Sequence, residues 1–169
     1  SEVVFGEQAV LRHIQDPLNG YFIKSPKSFL GADIRKHHID LFSEIITRFL
    51  AFIRNKAEEN KGREIDSIVL GRPVNFHGTR GEEGNLQAIN ILEQCSIAAG
   101  FKNIEFLMEP IAAALDFERS LDEIATVLVL DAGGGTTDCS IIKLGPSYKN
   151  LSTRDETVLG YTGTRIGGI

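Results

Sequence analysis

Apolar and polar positions along the chain fall into short blocks with two different periods. Val127 to Leu130 is an apolar, β-branched run that ends in Asp131. Gly133, Gly134 and Gly135 follow, then Thr136, Thr137 and Asp138, and Cys139 to Leu144 resumes an apolar run. This pattern predicts a strand, a tight turn and a second strand. Upstream, Phe42, Ile45, Ile46, Phe49, Ile53 and Ala57 recur at helical spacing. They predict a helix capped by Asp40 and running to about Asn60, with a wide apolar stripe for core packing. Ser67 to Leu70 reads as a strand ending at Gly71-Arg72-Pro73, and the polar stretch from Asn75 to Gly84 as a loop. Leu86, Ile89, Leu92, Cys95 and Ile97 mark a second helix, stopped by Gly100. Ile104 to Met108 is a second strand, and Pro110 suits the first position of a third helix reaching Arg119. Residues 40–119 thus alternate helix and strand, which implies an α/β layer with helices on the faces of a sheet.

The flanking regions are less regular. Residues 1–38 read as short and mixed, with the chain beginning in apparent mid-strand. Glu118 to Glu123 reads as a charged connector, and Pro146 to Asn150 as a turn. Glu156 to Leu159 is the candidate third strand of the hairpin's sheet. The glycine-rich ending from Gly160 to Gly168 is either a ligand-facing loop or a plain turn.

Composition narrows the function classes. The chain has 169 residues, 42% hydrophobic and 24% charged, as expected of a soluble globular protein. The net charge of −5 comes without a basic run, which argues against a nucleic-acid groove. No apolar segment approaches the roughly 18 residues of a membrane span. The start lacks the basic region of a signal peptide. Cys95 and Cys139 lie inside predicted elements without metal spacing and read as small apolar residues in a reducing cytoplasm.

The glycine turn carries the strongest chemical signal. Glycine permits positive φ and close backbone approach, so successive N–H groups can line a concavity suited to phosphate. Thr136 and Thr137 add hydroxyl donors. Asp131 and Asp138 flank the turn, and two carboxylates suit a hydrated magnesium ion. The bland reading is a hairpin that only turns. Glu109, between a strand and a helix, is either a carboxylate at a site mouth or an acid favoured by the helix dipole. Lys27, between Pro26 and Phe29-Leu30, is by spacing alone a solvated lysine; its functional reading is a cation reaching a phosphate. His37 and His38 are adjacent, so they do not share a helix face as a zinc pair would.

Taken together, four segments resemble the nucleotide-binding domain of the seventy-kilodalton heat-shock chaperone family, which belongs with actin and the sugar kinases. The likeness is closest to the YegD-type members. Ser25 to Gly31 resembles the family's lysine-containing segment, and Gly71-Arg72-Pro73-Val74-Asn75-Phe76 its strand–proline–Phe segment. Glu109-Pro110-Ile111-Ala112-Ala113-Ala114-Leu115 resembles its connecting motif. Asp131 to Asp138 resembles its second phosphate motif, Asp-x-Gly-Gly-Gly-Thr-x-Asp.

The resemblance implies an α/β chain with the actin-like, ribonuclease-H-like ATPase fold in part. Residues 1–120 would form most of lobe I, and residues 121–169 would open lobe II. It implies ATP or ADP with Mg2+ as ligands. Gly133, Gly134, Gly135, Thr136 and Thr137 would hold phosphates. Asp131 and Asp138 would hold magnesium through water, with Asp131 also near the attacking water. Glu109 would orient that water, Lys27 would reach the γ-phosphate, and Pro73 would relay conformation. The chemistry would be slow phosphoryl transfer to water, coupled to lobe opening and closing. Client proteins would bind through regions outside this chain, with no nucleic acid and no membrane involved.

Several family features are expected outside the given residues. The first phosphate motif would precede residue 1, and the adenosine-binding segments would follow Gly168. The isolated fragment is then expected to bind nucleotide weakly and to be inactive alone. The stretch from Gly31 to Asp40 is shorter than the family's hairpin region. Asn75 and His77 replace the family's Tyr and Asp, which bears on signalling to a substrate domain. The rival readings are a sugar or metabolite kinase of the same superfamily, which needs an acid–base residue not evident here, and a non-enzymatic actin-like scaffold.

Overall fold

A computed structural model of the chain describes residues 3–23, 26–76, 80–132, 137–150 and 154–164. The chain divides into two compact units. One comprises Ser1–Ile68 with Phe76–Ile104, and the other Val69–Asn75 with Glu105–Ile169. Among the described residues no helix is long and apolar enough to cross a membrane.

The first unit is mainly helical. Helix α1 (Glu7–Gln15) occupies part of the region expected to be short and mixed, and residues 3–5 carry no strand. Its apolar residues Val10, Leu11 and Ile14 remain exposed, whereas Phe5 packs its ring against Phe49 and Phe52 of α2. Helix α2 (Lys36–Lys61) starts four residues before the expected cap. Arg35, not Asp40, is the N-cap residue, and Asp40 lies inside the helix. Half-buried Ile39 extends the apolar stripe one turn upstream of Phe42, so packing outweighs the capping preference of aspartate. Strand β1 (Ser67–Arg72) runs two residues further than its apolar run.

Helix α3 (Gly81–Ala98) begins inside the expected loop, with Glu82 and Glu83 in its first turn, where the dipole favours acids. It ends as expected at Gly100. That residue has φ +98°, its N–H donates to Ile97 O at 2.9 Å, and the Phe101 N–H donates to Ser96 O at 3.1 Å. This is a Schellman closure, and it buries Phe101 behind the helix end.

The segment carrying Lys27 is docked on α3 through a glycine pair. Pro26–Phe29 is a 3-10 turn, followed by fully buried Leu30 and buried Gly31. Gln87 Nε2 donates to Leu30 O at 2.7 Å and to Ala32 O at 3.3 Å. A Cβ on Gly84 would run into Gly31 O, and one on Gly31 would lie 2.7 Å from Phe76 Cβ. Phe76 is itself buried, and its N–H donates to Asn85 Oδ1 at 2.7 Å. The two backbones meet because neither residue has a side chain. Alanine ordinarily gains about 1 kcal/mol over glycine inside a helix. Here overpacking, at about 1–3 kcal/mol, opposes that gain. Gly84→Ala is therefore expected to lower the unfolding free energy in urea; a more stable variant would show that the contact relaxes freely.

The second unit is built on a hairpin and a helix. Strands β1 and β2 (Asn103–Met108) form a two-stranded sheet, and helix α4 (Glu109–Arg119) follows β2 directly, with Glu109 and Pro110 in its first turn. Strands β3 (Ala125–Ala132), β4 (Thr137–Leu144) and β5 (Val158–Thr164) form an antiparallel sheet in the order β3-β4-β5. The third strand thus starts later than expected and takes in Gly160 to Thr164. A 3-10 turn at Asp155–Thr157 occupies its predicted beginning. Ile141 pairs with Gly160 and Ile142 with Val158, so Leu159 is a bulge residue turned to solvent. Alternation divides the hairpin cleanly. Val127, Val129, Ile142 and Leu144 pack with Ala114 of α4, while Leu128, Leu130 and Ile141 face outward.

Glu118 overturns the expectation of a charged connector. It lies in the last turn of α4, on the same face as Ile111 and Ala114, and is 2% exposed. Arg154 Nη1 donates to its Oε2 at 2.9 Å and Nη2 to its Oε1 at 2.5 Å. The Gly145 N–H also donates to Oε1, at 3.0 Å. Gly145 has φ +147°, and a Cβ there would lie 2.9 Å from Glu123 O and Ile124 Cα, so only glycine fits. One carboxylate thereby ties together α4, the end of β4 and the approach to β5.

Burial works to raise the Glu118 pKa. The Arg154 hydrogen bonds, the Gly145 N–H and the charges of Arg154 and Lys149 outweigh it and hold the pKa below the ordinary value. The stabilisation is therefore full above the ordinary carboxylate range and is lost as pH falls through the lowered folded value. Acid unfolding followed by circular dichroism should show this loss. In Glu118→Gln the acid-dependent part should shrink, at a cost near neutral pH of about 3–5 kcal/mol from stranding Arg154. An unchanged acid profile in Glu118→Gln would remove the pair from the account.

Candidate functional site

The antiparallel register sets the geometry at the turn end of the hairpin. Asp131 pairs directly with Asp138, and Ala132 with Thr137. Side chains directly opposite across an antiparallel pair share one face, with Cβ atoms about 5 Å apart. Counting back by twos, that face is the one carrying Val129, Val127, Ser140 and Ile142, which α4 covers. The third member of the row is Gly163 on β5, opposite Asp138. Having no side chain, it leaves room beside the carboxylates. Asp131 is exposed and Asp138 half-buried.

A hydrated magnesium ion takes one or two carboxylates and keeps its remaining waters, so this donor set fits it. The described residues hold no group of three His, Cys, Asp or Glu side chains that would suit a fully protein-ligated metal.

Glu109 is the first residue of α4 and is half-buried. Its Cγ lies 3.4 Å, and its Oε1 3.7 Å, from where a Cβ on Gly71 would stand. The carboxylate therefore lies over the backbone of β1 near its end, within van der Waals reach of where a side chain at Gly71 would begin. Glu109, Asp131 and Asp138 belong to the same compact unit. The helix that begins with Glu109 covers the sheet face bearing the two aspartates.

Other expected site residues are placed differently. Thr137 is half-buried at the start of β4, directly opposite Ala132. Lys27 is half-buried in the 3-10 turn of the first unit and is not in the unit that holds the carboxylates. Gly133, Gly134, Gly135 and Thr136 lie outside the described residues, as do His77 and the residues after Thr164.

The strand–proline segment is fastened within the second unit. Arg72 Nη2 donates to Asp155 Oδ2 at 3.0 Å, and Asn75 Nδ2 donates to Tyr161 Oη. Half-buried Pro73 stands between these attachments. The Arg72 guanidinium also reaches the carbonyls of Pro73 and Val74 at 3.4 Å each. Asn75 thus holds a structural position in a segment where sequence reading marked only its departure from a motif.

Sequence reading missed the Glu118–Arg154–Gly145 node. One signal for it existed: Ile111, Ala114 and Glu118 follow one helical face, so an acid stands on an apolar stripe. Nothing comparable marks Arg154, which lies in a polar stretch between turns.

Comparison with known proteins gives the family of the chain. A family model described as Hsp70 protein matches residues 30–163. A chaperone protein HscA homolog of Pseudoalteromonas atlantica is 30% identical over 185 aligned residues, covering 94% of this chain and 28% of the relative. A chaperone protein DnaK of Ureaplasma urealyticum is 29% identical, covering 94% of this chain and 26% of the relative. HscA of Buchnera aphidicola is 34% identical over 123 residues, covering 72% and 18%. The chain spans about a quarter of the length of the first two relatives. The match takes in β1, α4, the hairpin and almost all of β5, so the chain belongs to the Hsp70 protein family, and its mixed α/β elements are part of that family's actin-like ATPase fold.

Proposed function

We propose that the chain is part of the ATP-binding domain of a chaperone-like protein that hydrolyses ATP slowly. Residues 1–120 belong to lobe I and residues 121–169 open lobe II. The observation that carries this reading is the direct opposition of Asp131 and Asp138 on the α4-covered face of the hairpin. In this reading the two carboxylates would hold a hydrated Mg2+ ion. The ion would neutralise charge on the β- and γ-phosphates of ATP. Gly133, Gly134, Gly135 and Thr136 present backbone N–H groups and a hydroxyl to the phosphates, and Thr137 adds a second hydroxyl.

Glu109 accepts a hydrogen bond from the attacking water and orients it, and Asp131 lies near that water. Lys27 supplies a cation to the γ-phosphate. Little covalent chemistry falls to the protein in phosphoryl transfer, so positioning and charge stabilisation supply the rate. Binding and release of nucleotide open and close the lobes, and Pro73 relays that motion. Client proteins are engaged by regions outside this chain, in the cytoplasm. The family relationship supports the chaperone part of this reading, and the carboxylate register supports the nucleotide part.

Turnover of Mg-ATP by the intact parent protein tests the assignment. Asp131→Asn and Glu109→Ala should each lower kcat by about 100-fold or more. Equal turnover in the wild type and both variants would refute the roles given to these residues.

A further inference from the structure

Stability alone does not account for the ion pair at the end of α4. Glu118 is 2% and Arg154 8% exposed. Apolar residues of similar volume commonly match or exceed such a buried pair in stability. In addition, Arg154 Nε has no hydrogen-bond partner among the described residues. An unmet buried donor costs about 1–3 kcal/mol. Two apolar side chains would fill the same space without the buried charges or the unmet Arg154 Nε, leaving only the Gly145 N–H in need of an acceptor.

The pair supplies direction, which an apolar contact does not. The guanidinium fork and the Gly145 N–H together engage both carboxylate oxygens. A bidentate fork fixes orientation as well as distance. It therefore sets both the axial position and the rotation of the last turn of α4. The buried residues further up the helix are fully buried Ile111 and buried Ala114, the latter packed with Ile142 and Leu144. Such apolar burial is non-directional and does not by itself fix the rotation or axial position of the helix. Glu109 stands nine residues before Glu118, about 14 Å along a rigid helix.

We infer that Glu118, acting through Arg154 and Gly145, is a positioning residue for Glu109. The node fixes the register of α4 against β3 and β4, and so fixes where the Glu109 carboxylate stands relative to the Asp131–Asp138 row. This rests on the reading of Glu109 as the water-orienting group. A displacement of about 1 Å at a reacting group can cost on the order of 100-fold in rate. A helix seated only by apolar contacts has that freedom.

The test uses the intact parent protein carrying Glu118→Leu with Arg154→Met. Two quantities are read: steady-state ATP turnover, and the side-chain carboxyl 13C resonance of Glu109, assigned through Glu109→Gln. The expected result is a folded protein. Its kcat should fall at least about tenfold while KM for Mg-ATP changes less than about threefold. The Glu109 resonance should move, and that of Glu64, in the other unit, should not. A folded double variant in which either kcat or the Glu109 resonance is unchanged overturns the inference. Should the double variant not fold, Glu118→Gln with Arg154→Met, which keeps an acceptor for the Gly145 N–H, is read by the same criteria. If the wild-type parent turns over no ATP, the hydrolysis reading fails by itself. The resonance then decides the positioning: movement supports it and constancy overturns it.

Discussion

Helix α4 has to be seated on the β3–β4 hairpin, and a single buried carboxylate does much of the seating. Glu118 takes the Arg154 fork and the Gly145 N–H, so three chain segments distant in sequence converge on two oxygen atoms. The small apolar cluster of Ala114, Ile142 and Leu144 lies beside this node and excludes water from it. The apolar cluster supplies most of the driving force, because burial is non-directional and scales with area. The node supplies the orientation. Gly145 is fixed by the same arrangement, since any side chain there would meet the Glu123 carbonyl.

The same helix links packing to chemistry. Its last turn is held at the end of β4, and its first turn carries Glu109 over the backbone of Gly71. The sheet face it covers ends in Asp131 and Asp138, directly opposite one another. Facing carboxylates are a liability in a sheet and an asset beside a divalent cation. The absence of a side chain at Gly163, the third member of the row, fits the second role. The first unit follows a parallel logic with glycine in place of charge. Gly31 and Gly84 meet backbone to backbone, which seats the Lys27 segment on α3.

The elements with strong local signals were legible in the sequence. The apolar runs of β3 and β4 and the punctuating glycines gave the hairpin, and once the pairing was known its alternation gave the faces. The Gly100 closure was legible because glycine alone suits that position after the last apolar residue of α3. The turn's candidate chemistry was read from two carboxylates and three glycines at a spacing rarely needed for a plain turn. Features decided by tertiary contacts were not legible. The early start of α2 follows from packing of Ile39, which overrode the capping preference of Asp40. The burial of Glu118 depends on Arg154, thirty-six residues away, and no local pattern reports such a partner. Helix α1 escaped notice because its nine residues give the Val10, Leu11 and Ile14 stripe too little length to repeat. The late start of β5 reflects the 3-10 turn that carries Asp155 to Arg72, again a long-range contact.

The central claim is that the glycine hairpin is a phosphate and magnesium site in a working nucleotide-binding domain. Calorimetric titration of Mg-ATP and Mg-ADP into the intact parent protein, with Asp131→Asn alongside, tests it most directly. The account predicts binding in the micromolar range, about −8 kcal/mol, and a clear weakening in the variant. Heat-silent titrations of the wild-type protein with both nucleotides, matched by equilibrium dialysis showing no uptake, would contradict it and leave the hairpin as inherited architecture.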